Sequence, residues 1–248
     1  MELTVKAYPK VNVGLYVGNK RPDGFHEISS LFHLVKTMSD TLTVSASPSS
    51  STTIRVTGLE EYVEEREATV YKAAEVFLEH CKKTAGISIS VEKHIPVKAG
   101  LGSGSSDAAS TLLALNRLFE TDLSVSSLSE LAQKVGSDVP FFIYNCPLAY
   151  VTGRGEIVKP LKEREDIRFE IKVPQGSGIS TAYAYSVLDS RTTIFPLPSC
   201  EELYKMYLGP ITEWKFRNDF EIINQMEGTE NGVFLSGSGS ARYTVHVD

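Results

Sequence analysis

Pro96-Val97-Lys98-Ala99-Gly100-Leu101-Gly102-Ser103-Gly104-Ser105-Ser106-Asp107-Ala108-Ala109 is the run of this chain whose residue types most plainly imply chemistry. It follows a strand pattern and enters a helix pattern directly. Small residues let backbone N–H groups approach an anion closely, and the start of a helix adds partial positive charge aimed at it. The orphan N–H groups of the first turn need acceptors, which phosphate oxygens supply. Gly100, Leu101, Gly102, Ser103, Gly104, Ser105 and Ser106 are therefore expected to hold phosphates. The Ser105 and Ser106 hydroxyls add donors, or oxygens for a phosphate-bound Mg²⁺. A flexible linker is the competing reading, but linkers do not usually join a strand to a strongly amphipathic helix. With no Gly-Lys dipeptide the run is not a P-loop, and it lacks the third glycine of a dinucleotide fingerprint. Neither a His-Arg-Asp catalytic loop nor Asp-Phe-Gly occurs, which sets protein kinases aside.

Other residues are less specific taken singly. Asp138 precedes Val-Pro, the setting of a helix cap or turn residue. Lys10 reads as a solvated strand residue. Phe25-His26 places an aromatic face beside a two-sided hydrogen-bonding ring, which suits a flat pyrimidine, although core and turn roles are equally ordinary for such residues. None of the five histidines has the spacing of an HExxH site, so no catalytic metal is expected.

The elements that must position these residues follow from periodicity. Leu3–Ala7, Val11–Val17, Thr41–Val44 and Thr53–Thr57 alternate as strands with one wet face. Apolar residues at helical spacing predict a helix from about Tyr62 to Lys83, stopped by Gly86, and then a strand at Ile87–Val91. A second helix carries Ala108 to Phe119, with Ser105, Ser106 and Asp107 in its first turn. Further expectations are a helix at Leu128–Val135, a hairpin at Leu148–Val158 and a strand at Ile167–Val173. A helix at Thr181–Leu188 and two late strands between Gly232 and Val247 complete the pattern. Mixed elements with early hairpins predict an α+β protein in two lobes divided near residue 150.

The 248 residues, 42% hydrophobic and 23% charged, give ample chain for a buried core. A net charge of −6 argues against a general nucleic-acid-binding surface. Three widely spaced cysteines favour free thiols in a reducing cytosol over a disulfide framework. The Met1–Lys6 stretch lacks a signal-like apolar run, and no apolar segment is long enough to span a bilayer, so a cytoplasmic protein is expected.

The loop Pro96-x₃-Gly-Leu-Gly-Ser-Gly-Ser-Ser-Asp-Ala-Ala resembles the phosphate-binding motif of the GHMP kinases. Six further stretches occur in the order of one family within that superfamily: Ala7-Tyr-Pro-Lys10-Val-Asn12, Arg21-Pro-Asp23-Gly24-Phe25-His26-Glu27, Gly136-Ser-Asp138-Val-Pro140-Phe-Phe, Ile179-Ser-Thr181-Ala-Tyr183-Ala-Tyr185, Asn218-Asp219-Phe-Glu221 and Ser236-Gly237-Ser-Gly239-Ser. The resemblance runs from residue 6 to about residue 244. It implies ATP-dependent phosphorylation of the 2-hydroxyl of 4-diphosphocytidyl-2-C-methyl-D-erythritol, a step of non-mevalonate isoprenoid precursor synthesis. It also implies a two-lobed fold, with an ATP-binding domain over 1–150 and a ferredoxin-like substrate domain over 151–248. By the same resemblance Asp138 is the general base and Lys10 its partner. His26 takes the cytosine edge, Phe25 and Tyr185 its two faces, Asn12 contacts the substrate near Lys10, and Asn218 is a further substrate-binding residue. ATP is then the co-substrate, with Mg²⁺ carried by its phosphates.

Four positions depart from the family pattern. Phe25 replaces a common tyrosine, Ser137 the alanine before Asp138, and Ala68-Thr69 an Asn-Leu pair. Only 14 residues separate Glu221 from Ser236, which predicts a shortened second lobe. The alternatives are another GHMP small-molecule kinase, of homoserine or mevalonate type, or a non-catalytic ligand-binding relative.

Overall fold

The computed structural model describes residues 1–174, 180–190, 196–224 and 232–247. Its contacts gather into two compact units. The first comprises Met1–Pro9, Lys36–Val97 and Ser103–Asn145; the second comprises Lys10–Val35, Lys98–Gly102 and Cys146–Asp248. Both units therefore draw on chain before residue 100, a grouping by contact that differs from a single cut near residue 150.

In the first unit, β1 (Glu2–Ala7), β4 (Asp40–Pro48), β6 (Ala85–Glu92) and β5 (Thr53–Thr57) form one sheet in that order. The first two pairings are antiparallel and the last parallel. Strand β6 buries Ala85, Ile87, Ile89 and Val91 while Ser88 and Ser90 stay exposed, the period-2 pattern of a half-covered sheet. Four helices belong to this unit: α1 (Thr69–Cys81), α2 (Ser103–Leu118), α3 (Val125–Val135) and α4 (Val139–Tyr144). α2 touches α1, α3 and α4 as well as β1 and β4. Ala108, Ala109, Leu112 and Leu115 give it a wholly buried stripe at helical spacing, which fixes its rotation and hence the direction of its first turn.

In the second unit, β2 (Lys10–Lys20), β3 (His26–Leu34), β7 (Leu148–Gly153) and β8 (Ile157–Leu161) make an antiparallel sheet in that order. A second antiparallel sheet orders β10 (Val233–Leu235), β11 (Arg242–Val247) and β9 (Ile167–Lys172). Helices α5 (Thr181–Asp189) and α6 (Cys200–Leu208) also belong to this unit. Its core is aromatic: Tyr207, Trp214, Phe216, Phe234 and Tyr243 follow one another at ring separations between 5.1 and 6.0 Å.

Several expectations are corrected. The helix expected from Tyr62 begins at Thr69, preceded by a 3₁₀ turn at Glu65–Glu67. It ends because Lys82 turns left-handed (φ 51°), not at Gly86, which lies inside β6. β2 has no wet face over Lys10–Gly18, every residue of which is buried, and the segment Arg217–Asp219 pairs with Leu15 on both its N–H and its C=O. The expected hairpin extends to Leu161. Three elements carried no expectation. β3 is interrupted in sequence by Ser29, Ser30 and His33, α4 is a short apolar run opened by Pro140, and α6 is a polar-faced helix. Ile179 of the Ile-Ser-Thr-Ala-Tyr stretch lies outside the described residues, as does much of the shortened Glu221–Ser236 segment.

Candidate active site

Lys10 opens β2 and is buried at 3% exposure. A buried ammonium needs acceptors on every side that water has left. Its Nζ donates to Asn12 Oδ1 at 2.6 Å and to the Gly100 carbonyl at 3.3 Å, and it lies 4.7 Å above the centre of the Phe32 ring. Its backbone N–H donates to the Leu101 carbonyl at 3.0 Å, so β2 begins on the glycine loop. Asn12 is equally buried: its Nδ2 donates to Ser30 Oγ at 3.1 Å, and its carbonyl accepts from the Tyr243 hydroxyl at 2.9 Å.

Two glycine turns meet in this unit. Gly100 (φ 81°) gives its carbonyl to Ser236 Oγ at 3.0 Å, and the Ala99 carbonyl accepts from Ala241 N–H at 3.0 Å. A Cβ on Gly237 would come within 2.9 Å of Gly100 Cα, so neither turn tolerates a side chain against the other. Asn218 ties the second turn from behind. Its Nδ2 donates to the carbonyls of Leu235 (3.0 Å) and Gly237 (2.9 Å), and its Oδ1 accepts from Phe220 N–H at 3.0 Å. With both ends of its amide engaged on backbone, Asn218 acts here as a brace for the turn. Neighbouring Asp219 is likewise engaged, accepting from Val17 N–H at 2.9 Å.

At the far end of the same sheet, Phe25 stands half out of the protein at 45% exposure, with the Arg154 guanidinium 4.7 Å from its ring centre. His26 is buried. Its Nε2 is 2.8 Å from Asp189 Oδ1, and its ring stacks on Tyr185 at 5.1 Å and 19°. Lys20 also reaches Asp189, at 2.7 Å, and with His26 it holds that carboxyl below its ordinary pKa range. Tyr185 thus rests one face on His26 and meets the Phe220 ring edge-on at 5.0 Å.

The first unit carries the rest of the phosphate run. Ser103, Ser106 and Asp107 are buried in the opening turns of α2, Ser105 is half-buried, and the Gly104 carbonyl accepts from Thr69 Oγ1 at 2.6 Å. Beneath them lies a charge cluster that the sequence reading did not foresee. Lys93 Nζ contacts Asp40 Oδ2 and Ser103 Oγ, and lies 2.8 Å from Asp107 Oδ2. Asp40 Oδ1 accepts from the N–H groups of His94 (2.6 Å) and Ile95 (2.8 Å), which fixes the chain entering the glycine loop. Burial pushes the Asp107 carboxyl up to about 7 against the pull of Lys93, and its Oδ1 has no hydrogen-bond partner among the described residues. Two carboxylates around one ammonium leave excess negative charge, which a proton on Asp107 relieves. An isolated Lys93 or Asp40 carries no local sequence signal; only the folded sheet brings them to Asp107.

Asp138 occupies the cap position of α4 without capping it, since its side chain bonds no N–H of that helix. It is half-buried, with Pro140 setting the first turn beside it. Asp138 belongs to the first unit and Lys10 to the second.

Comparison with known proteins matches residues 68–146 to the family described as "GHMP kinases N terminal domain". The chain is 36% identical over 257 residues to a protein of Thermodesulfovibrio yellowstonii named 4-diphosphocytidyl-2-C-methyl-D-erythritol kinase, covering 96% of this chain and 87% of that one. A protein of the same name from Salinibacter ruber is 38% identical, covering 98% of this chain and 89% of its own. A solved 4-(cytidine 5'-diphospho)-2C-methyl-D-erythritol kinase superposes with a TM-score of 0.71 at 30% identity, over 97% of this chain and 89% of that one. The α+β architecture is that of the two-lobed GHMP kinases, and the chain belongs to the 4-diphosphocytidyl-2-C-methyl-D-erythritol kinase family.

Proposed function

We propose that this chain transfers the γ-phosphoryl group of ATP to the 2-hydroxyl of 4-diphosphocytidyl-2-C-methyl-D-erythritol, in the non-mevalonate isoprenoid precursor pathway. Phosphoryl transfer asks a protein chiefly to position the partners and to offset developing charge. Asp138 orients the hydroxyl and takes its proton. The Lys10 ammonium stabilises charge on the attacking oxygen. Residues Gly100–Ser106 cradle the phosphates with backbone N–H groups. The hydroxyls of Ser105 and Ser106 are hard oxygen donors suited to Mg²⁺ arriving on ATP, and the ion offsets charge on the β- and γ-phosphate oxygens. His26 reads the cytosine edge while Phe25 and Tyr185 take its faces. With Tyr185 stacked on His26, a cytosine ring enters by replacing that contact. Asn12 and Asn218 serve the substrate by holding Lys10 and the Gly237 turn. The proposed division is an ATP-binding N-terminal domain over 1–150 and a C-terminal domain over 151–248, with Asn12, Phe25 and His26 of the first also serving the substrate. Small-molecule partners and a cytoplasmic location complete the assignment, and no helix among the described residues is long and apolar enough to cross a membrane.

The observation that carries this assignment is the Gly100 carbonyl. Lys10 Nζ and Ser236 Oγ both donate to it, which joins three motif stretches at one atom. The test is ADP release from ATP and Mg²⁺ on adding the cytidine substrate, beside homoserine and mevalonate. Release that requires the cytidine compound supports the assignment. Release with another alcohol, or with none of the three, overturns it.

A further inference from the structure

We propose that Ser30 is a positioning residue for Lys10, and that a glycine bulge in β2 sets the direction of the hydrogen bonds linking the two. This role rests on Lys10 being catalytic. A carboxamide has two unlike ends, one accepting and one donating, and only its oxygen can face an ammonium. Asn12 presents Oδ1 to Lys10 at 2.6 Å because its Nδ2 is occupied by Ser30 Oγ at 3.1 Å. A hydroxyl, however, both donates and accepts. Were the Ser30 proton aimed at Asn12, the amide would turn round and set its NH₂ against the ammonium.

The Ser30 proton is committed elsewhere. Ser30 Oγ lies 2.5 Å from the Gly14 carbonyl, against 3.4 Å from that of Leu31. A carbonyl accepts only, so every proton in the chain runs one way: Lys10 to Asn12, Asn12 to Ser30, Ser30 to Gly14. The Gly14 carbonyl is available because the β2–β3 register slips between Val13 and Leu15, leaving Gly14 without a ladder partner. That bulge requires φ 76°, and a Cβ there would come within 3.0 Å of both the Phe216 and Tyr16 rings, so the position suits glycine alone. Lys10, Asn12 and Ser30 are all buried, so bulk water is not at hand to repair a broken link.

Steady-state kinetics of Ser30→Ala, beside Lys10→Met, test the role. For Ser30→Ala the expected result is a loss in kcat of about tenfold, from an ammonium no longer held in place. The KM values for ATP and for the cytidine substrate should stay within about twofold, and the basic limb of the kcat–pH profile should move to lower pH. A structural role alone would lower the melting temperature without moving that limb. Unchanged kcat and profile in folded Ser30→Ala, with Lys10→Met inactive, overturns the Ser30 role and leaves Lys10 catalytic. An active Lys10→Met overturns the parent assignment instead. Should Ser30→Ala not fold, Ser30→Cys decides, since its thiol donates weakly: a several-fold loss in kcat supports the role and an unchanged kcat refutes it.

Discussion

His33 ties the stability of the second unit to pH. Its side chain is buried in β3, with Nδ1–H donating to the Leu34 carbonyl at 2.9 Å and its ring 4.4 Å from that of Phe169. Nε2 has no hydrogen-bond partner among the described residues; Glu163 stands 3.7 Å away, too far to accept a proton. Burial drives the imidazole pKa from 6.5 down to about 4. For a base whose folded pKa is depressed, the unfolded chain binds the extra proton, so stability is complete above about pH 6.5 and falls away as pH drops toward 4. A shift of this size corresponds to about 3 kcal/mol over that window. Urea unfolding followed by the fluorescence of Trp214, a member of the same aromatic core, measures it at intervals from pH 4.5 to 7.5. In His33→Asn the amide N–H can replace the Nδ1 donor and nothing titrates there, so the wild-type advantage over the variant should shrink by about 2 to 3 kcal/mol from pH 7.5 to 4.5; the opposite slope from Asp107, raised to about 7, is common to both proteins and drops out of the difference. Parallel pH dependences in the two proteins would refute the assignment to His33.

Other outcomes follow from the site. Asp138→Asn should retain KM while kcat falls about 10²–10⁴-fold, the usual worth of a positioned base, and near-normal turnover would remove Asp138 from that role. Gly100→Ala must carry a side chain at φ 81° with its Cβ driven into the Ser236 carbonyl, 3.0 Å from its carbon and closer still to its oxygen, so a loss of about 2 kcal/mol or more is expected in thermal or chemical denaturation. Phe25→Ala removes an exposed ring, so stability should change by less than about 0.5 kcal/mol. If that ring stacks on cytosine, its loss should raise KM for the cytidine substrate several-fold at constant kcat; an unchanged KM would show that the ring does not touch the substrate.

Strands β4 and β6 and helix α2 were legible in the sequence because each has a clean apolar period against one covered face. β3 was not. Ser29 and Ser30 break its alternation, and only the fold supplies their partners, the carbonyls of Pro198 and Gly14. α6 had a readable start, the Ser199-Cys-Glu-Glu202 capping box, which the structure forms with both of its reciprocal bonds. For the candidate site, motif resemblance singled out Lys10, Asn12 and the glycine turns, since each sits in an ordered local stretch. Asp40, Lys93 and Asp189 stayed hidden because their partners lie 53, 14 and 163 residues away in sequence. Asn218 was singled out by the same resemblance, while its work as a backbone brace depends on carbonyls 17 and 19 residues further on.

The interleaving of the two units bears on the order of synthesis. All the strands and helices of the first unit have been made once Asn145 has left the ribosome. The second unit has by then contributed only Lys10–Val35 and the five-residue loop, and the Tyr243 hydroxyl that closes on the Asn12 carbonyl comes 231 residues after its acceptor. Strands β2 and β3, buried over most of their length, must wait through most of translation for β7, the Asn218 segment and β11. A nascent chain halted between those points carries a finished first unit and an uncovered hairpin whose Val11, Val13, Leu15, Leu31 and Phe32 are not yet buried, the kind of surface that chaperones hold and that aggregates when they do not. Synonymous changes that slow translation past residue 145 should therefore lower soluble yield with no change in the protein made.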